Sequence, residues 1–173
     1  MLFTSPVFLF LFLPLVLLLS WPRSLAWQNA LLLWASLIFY AWGGVSYALI
    51  LLGSIGCNYG IGRWLGTRKA IRSRKGVLAL GLTINLGLLL VFKYANFVVG
   101  NIQLLQPPEE AIPWQAIILP LGISFYTFQA ISYLVDVYRG TVQPQKNPVK
   151  LGLYIALFPQ LIAGPIVRYQ ELA

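Results

Sequence analysis

The chain has no histidine, a single cysteine and only four acidic residues among 173. Each scarcity closes off a class of chemistry. Without histidine, the commonest general base and the commonest metal ligand are both absent. With Cys57 alone no intramolecular disulfide forms, and a lone thiol inside an apolar run reads as a small buried hydrophobe. The acids are dispersed: Glu109 and Glu110 are neighbours, Asp136 lies near the end of an apolar run, and Glu171 is close to the last residue. They do not pair for acid–base work. No GxxxxGK[ST] phosphate loop, CxxC pair or HExxH motif occurs. Charge of any kind is rare, at 9% of residues, against about 25% in a soluble domain. So few charges cannot solvate a globule of this size, and lipid is the solvent that covers the rest.

What is present agrees with that. Hydrophobic residues make up 59% of the chain, in runs at 5–20, 28–43, 45–62, 77–99 and 114–138 and a shorter one at 149–164. A helix needs about 20 apolar residues to cross the hydrocarbon, and a lipid-buried backbone must satisfy its own hydrogen bonds. The runs are continuous rather than alternating. The expected fold is therefore all-α, a multi-pass transmembrane helical bundle of about five to six membrane segments, incomplete relative to the family fold described below. Gly43-Gly44 is the expected hinge between the second and third segments. Pro159 breaks the last run and frees a backbone carbonyl that needs another partner. A re-entrant segment lining a cavity and a proline-kinked helix are both open there.

The net charge of +8 does not indicate nucleic acid, because six of the twelve basic residues crowd into Arg63 to Lys75, between two apolar runs. That is the pattern of a cytoplasmic loop under the positive-inside rule. Arg139 to Lys150, with three basic residues and no acid, falls on the same side, as does Arg23. Gln106 to Glu110 falls on the other side, and the N-terminus is expected outside. The first run has no Lys or Arg before it and Arg23 after it, the reverse of a secretory signal. It reads as a retained membrane segment.

Polar residues within the runs need partners. Gln129, Ser132, Asp136 and Arg139 follow spacings of three, four and three, so they share one helix face. Asp136 and Arg139 are placed to pair. Two readings stand for this face: the wall of a substrate path, or interhelical hydrogen bonding with a charged helix end. Lys93 reads as snorkelling to the outer interface. Asn58, Thr83 and Asn85 read as interhelical hydrogen-bonding groups, and Gly81, Gly87 and the series Gly53, Gly56 and Gly60 as sites of close helix packing. No catalytic constellation emerges from the residues, and no bound cofactor or metal is expected.

The stretches Ser5 to Pro14, Leu33 to Trp42, Asn58-Tyr59-Gly60-Ile61-Gly62, Phe92 to Phe97, Leu119 to Gly140 and Phe158 to Tyr169 occur in an order that resembles the N-terminal part of the membrane-bound O-acyltransferase family. The likeness is to its alginate O-acetyltransferase branch. It implies an enzyme of the bacterial cytoplasmic membrane that moves an acetyl group from acetyl-CoA to an exported polysaccharide such as alginate. Periplasmic acetyltransferase or polysaccharide-synthesis proteins are its implied partners, besides the bilayer. The family's base is a buried histidine that activates the attacking hydroxyl, and it lies in the part that would follow Ala173. No catalytic residue carries over onto this chain, so the expectation is the N-terminal fragment of a larger acyltransferase bundle. The alternative is a non-catalytic multi-pass subunit of a polysaccharide export or transport complex. An inverted repeat would mark that reading, and the two halves share neither spacing nor polar pattern. The 173-residue chain, purified and supplied with acetyl-CoA and polysaccharide, is expected to form no acetyl esters; turnover at enzymatic rates would overturn this.

Overall fold

The computed structural model describes residues 5–21, 24–67, 70–105, 113–164 and Tyr169. Among these residues every regular element is helical. A π-helical turn at Phe8–Phe12 runs directly into α1 (Leu13–Ser20). Pro14 near the start of α1 cannot donate a backbone hydrogen bond, and the widened turn just before it accommodates that defect. Then follow α2 (Leu25–Trp42), α3 (Val45–Thr67), α4 (Ile71–Leu104), α5 (Ile123–Arg139), α6 (Pro148–Ala156) and α7 (Phe158–Ala163). Among the described residues three helices are long and apolar enough to span a membrane: α2, α3 and residues 72–104 of α4. Their outward surface carries large apolar side chains such as Trp34, Leu49, Leu90 and Phe97, a lipid-facing pattern rather than a wet one.

Local chemistry sets the ends. Ser24 caps α2 by accepting the Trp27 N–H. The last carbonyls of α1 are met by α2 side chains: Trp27 Nε1 donates to Leu19 O at 3.2 Å and Gln28 Nε2 to Ser20 O at 3.1 Å. Gly43 and Gly44 make the turn to α3, Gly44 at φ 144°, a conformation that favours glycine. Gly140, at φ 77°, closes α5 by donating back to the Asp136 and Val137 carbonyls.

The expected segment 114–138 is helical only from Ile123. Residues 113–120 carry no regular structure, and Asn96 of α4 stands in for a strand partner. Its Oδ1 accepts from Ile117 N at 2.8 Å and Trp114 Nε1 at 3.0 Å, while its Nδ2 donates to Ile117 O at 2.7 Å. The expected segment 149–164 is likewise two helices, separated at Leu157, whose ψ of 112° breaks the helical path. Arg23, the Gln106–Glu110 loop, Arg168 and Glu171 lie outside the described residues.

The core lies where α5 packs against α3, α4 and α6. Tyr126, Tyr133, Leu134, Leu51, Leu65, Leu151 and Ile155 are fully buried there. A second cluster joins Phe8 and Phe12 to Phe39 and Phe158, with ring centroids 5.6–6.1 Å apart. It ties the first segment to α2 and to the break between α6 and α7.

Close approach uses only part of the glycine set read from sequence. A Cβ on Gly81 would meet Leu134, but nothing lies within 4 Å of one on Gly53, Gly56, Gly60 or Gly87. Tight contacts also fall at Gly62, under the Tyr133 ring, at Gly66, against Pro144, and at Gly152, under Leu33. Asn58 and Asn85 are each 1% exposed and exchange two hydrogen bonds, at 3.0 and 2.8 Å, across α3 and α4. Each spends its other N–H on a carbonyl one turn back, Ser54 or Gly81. Thr83 lies exposed on α4 instead.

This reciprocity makes the pair all-or-none. Asn58→Ala is expected to strand the Asn85 amide and destabilise the bundle by about 1–3 kcal/mol. Removing both amides should cost less than the sum of the two single changes, as read by unfolding in mixed micelles. Strict additivity would show that the two residues are uncoupled.

Candidate functional site

Residues of α6 and Gln160 of α7 form one wall of a groove of about 350 Å³, lined by Asn29, Gln145, Lys150, Leu153, Tyr154, Leu157, Gln160 and Tyr169. Asn29 comes from the first turns of α2, and Gln145 from the loop that follows α5. Asn147 starts α6 by accepting the Val149 N–H at 2.9 Å, with Pro148 in the first turn where a missing donor costs nothing. Lys150 follows at once, exposed, in the mouth of the groove.

Three tyrosines organise the floor. The Tyr169 ring meets Tyr133 and Tyr154 edge-on, with centroids 4.9 and 5.0 Å away. Gln145 Nε2 donates to Tyr169 Oη at 2.8 Å, and Gln145 N to Tyr133 Oη at 3.1 Å. Gln145 Oε1 accepts from Asn147 N at 3.0 Å. One glutamine thus ties α5, the loop, α6 and Tyr169 together. Tyr133 reaches this position because Gly62 leaves room for its ring.

Deeper in, the break at Leu157 exposes the Phe158 N–H to the apolar bundle. Ser36 Oγ accepts it at 3.2 Å while donating to Leu32 O at 2.7 Å. The sequence points to a carbonyl freed by Pro159; the bonded group at the break is instead the amide at the start of α7, and its partner is a serine 122 positions earlier. This bond pins the break between α6 and α7 against α2.

The α5 face predicted from sequence is divided. Gln129 is 2% and Asp136 6% exposed, whereas Ser132 is half-buried and Arg139 exposed. Gln129 Oε1 and Asp136 Oδ2 have no hydrogen-bond partner among the described residues. No ion pair joins Asp136 to Arg139 among the described residues. The cation at the end of α5 is Arg74 of α4 instead, which donates to Val137 O at 2.9 Å and Tyr138 O at 2.7 Å. Its guanidinium stands 5.5 Å from the Tyr138 ring centroid. A cation on the last carbonyls answers the helix dipole better than a carboxylate there would.

None of the four predicted residues lines the groove. Gln145, Tyr154 and Tyr169, which do, gave no signal in sequence, because their meeting depends on the loop and the helix break. Among the described residues the groove offers a cation, amides and hydroxyls, but no carboxylate or imidazole. It is equipped to bind and orient an anionic or hydroxyl-bearing molecule, not to take a proton at neutral pH. Among the described residues no cluster of His, Cys, Asp or Glu is placed to hold a metal.

Comparison with known proteins gives full-length relatives. The chain is 43% identical over 176 residues to a protein of Pseudomonas aeruginosa named "Probable alginate O-acetylase AlgI", covering 99% of this chain and 34% of that one. The protein of that name from Azotobacter vinelandii is 41% identical over 175 residues, 99% of this chain and 35% of the relative. The "Peptidoglycan O-acetyltransferase" of Helicobacter pylori is 33% identical over 201 residues, 99% of this chain and 38% of the relative. The chain thus spans about a third of the length of these relatives. No protein-family model and no solved structure matches it.

Ser36→Ala should leave the Phe158 N–H unbonded in an apolar interior and destabilise the protein by about 1–3 kcal/mol, whereas Ser36→Thr should keep most of the stability. Unfolding in micelles, with amide exchange read at Phe158, checks both.

Proposed function

We propose that this chain, homologous along its whole length to the alginate O-acetylases and to a peptidoglycan O-acetyltransferase, forms the donor-side part of a membrane-bound O-acetyltransferase acting on an exported polysaccharide. The observation that carries the reading is the identity of 41–43% across essentially the entire chain to four proteins sharing one name. Its helices are those of a membrane protein. The polar groove fits the part: it opens where the exposed cations Lys146 and Lys150 gather, the end that the positive-inside rule puts in the cytoplasm. In this reading the N-terminus lies in the periplasm.

In this reading acetyl-CoA approaches from the cytoplasmic side. Lys150 offsets negative charge on the donor, while Asn29 and Gln145 orient it by hydrogen bonds. The aromatic floor of Tyr133, Tyr154 and Tyr169 excludes water from the thioester. Deprotonation of the acceptor hydroxyl needs a base that these lining residues do not supply. In the family resembled here, that base is a histidine. The acceptor is an alginate-like or related glycan, presented from the opposite side together with periplasmic acetyltransferase or polysaccharide-synthesis proteins.

A chimera tests this. The matched 34% of the Pseudomonas aeruginosa relative is replaced by this chain, and O-acetyl esters on the exported polymer are measured in cells lacking the native protein. Ester formation is expected to be retained. Lys150→Gln should lower it by about tenfold, equivalent to roughly 1.4 kcal/mol of donor binding, while Lys93→Gln on α4 should leave it unchanged. A chimera that inserts and folds but forms no ester would sink the proposal.

A further inference from the structure

We propose that Arg63 and Lys146 together bind the phosphate of an anionic phospholipid headgroup. The two residues come from distant parts of the sequence, and the fold sets them side by side. On α3, Tyr59, Arg63 and Gly66 are spaced by four and three residues and share one face. Both neighbours of Arg63 on that face are fastened to the loop after α5. Tyr59 Oη donates to Lys146 O at 2.8 Å, and a Cβ on Gly66 would lie 3.1 Å from Pro144 Cβ. Arg63 therefore projects from the turn between two anchors that grip residues 144–146. The same loop is held from its other side by Tyr133 and Tyr169 through Gln145, so Lys146 is carried on a fixed backbone.

Both cations are exposed, and neither side chain makes an ion pair or hydrogen bond with another described residue. The one described acid, Asp136, is buried within α5. Arg72 and Lys75 add exposed charge in the first turns of α4, where the helix dipole already disfavours a cation. This end of the bundle is self-repelling and calls for an anion. The anion is a lipid headgroup rather than a free ion because of what lies below it. α3 presents Leu49 and Leu52 outward, and exposed Trp64 adjoins Arg63. Indole rings of this kind settle at the headgroup level, and the apolar flank beneath suits acyl chains.

The proposal is independent of acyl transfer, and its test uses no catalytic readout. Thermal unfolding of the 173-residue chain in a neutral detergent is followed with added phosphatidylglycerol, with phosphatidylcholine of the same acyl chains, and with inorganic phosphate. Phosphatidylglycerol alone is expected to raise the midpoint, by several degrees. Arg63→Gln/Lys146→Gln should lose most of that rise, Arg63→Lys/Lys146→Arg should keep it, and Lys93→Gln, remote on α4, should leave it intact. If the double glutamine variant fails to fold, native mass spectrometry of the unaltered chain decides. Retained phosphatidylglycerol should then fall to the phosphatidylcholine level at about 1 M salt, where the screening length is only ~3 Å. An equal rise with phosphatidylcholine or inorganic phosphate, an undiminished rise in the double variant, or salt-insensitive retention would overturn the assignment.

Discussion

A backbone amide or carbonyl that leaves a helix inside an apolar bundle must be bonded by a side chain from elsewhere, because no water reaches it. One place meets it in the buried interior, and three others, more exposed, bond freed backbone groups in the same way. Ser36 accepts the Phe158 amide at the α6–α7 break. Asn96 carries the irregular stretch around Ile117, and Arg74 takes the last carbonyls of α5. Trp27 and Gln28 close the end of α1. Without these bonds the irregular segments would have to become regular helices, and the groove between α2 and α6 would lose its bent wall.

The same constraint explains why polar side chains in this chain divide into two kinds. Asn58 and Asn85 satisfy each other and their own helices, so they stabilise without offering anything to a ligand. Gln145, Lys150 and Asn29 instead lie at the end of the bundle, where a groove opens between elements that diverge. The interior polar atoms of Tyr40, Tyr126, Thr127 and Gln129 lack hydrogen-bond partners among the described residues. Such atoms in a buried core mark a place where structural economy has yielded to something else; they sit late in α2 and early in α5, and Tyr40 lines a second pocket with Gly43 and Tyr47.

Charge follows a parallel logic at larger scale. The ends of α3 and α5 and the starts of α4 and α6 meet at one end of the bundle, as the Tyr59–Lys146 and Arg74–Tyr138 bonds require. Basic residues far apart in the chain therefore form one surface. The sole described carboxylate near it is buried, which leaves that surface's field unopposed.

Much of this was determined by the sequence alone. Scarce charge and long apolar runs suffice for a helical membrane bundle, because they bear on solvation, which depends on composition and not on contacts. The clustering of Arg63 to Lys75 marks one end for the same reason, and the ordered stretches from Ser5 to Tyr169 were enough to recognise the O-acetyltransferase relatives. Asn58 and Asn85 were legible as hydrogen-bonding groups, since an amide in an apolar run has few other ways to be satisfied. Only the tertiary structure decided that Ile123, not Trp114, begins α5, and that one run splits at Leu157 into two helices. It also decided that Arg74 rather than Arg139 serves the end of α5, and that Gln145, Tyr154 and Tyr169 share a groove. Each of these depends on a partner between about 20 and 120 residues away, and hydrophobic periodicity reports only on neighbours within a few turns.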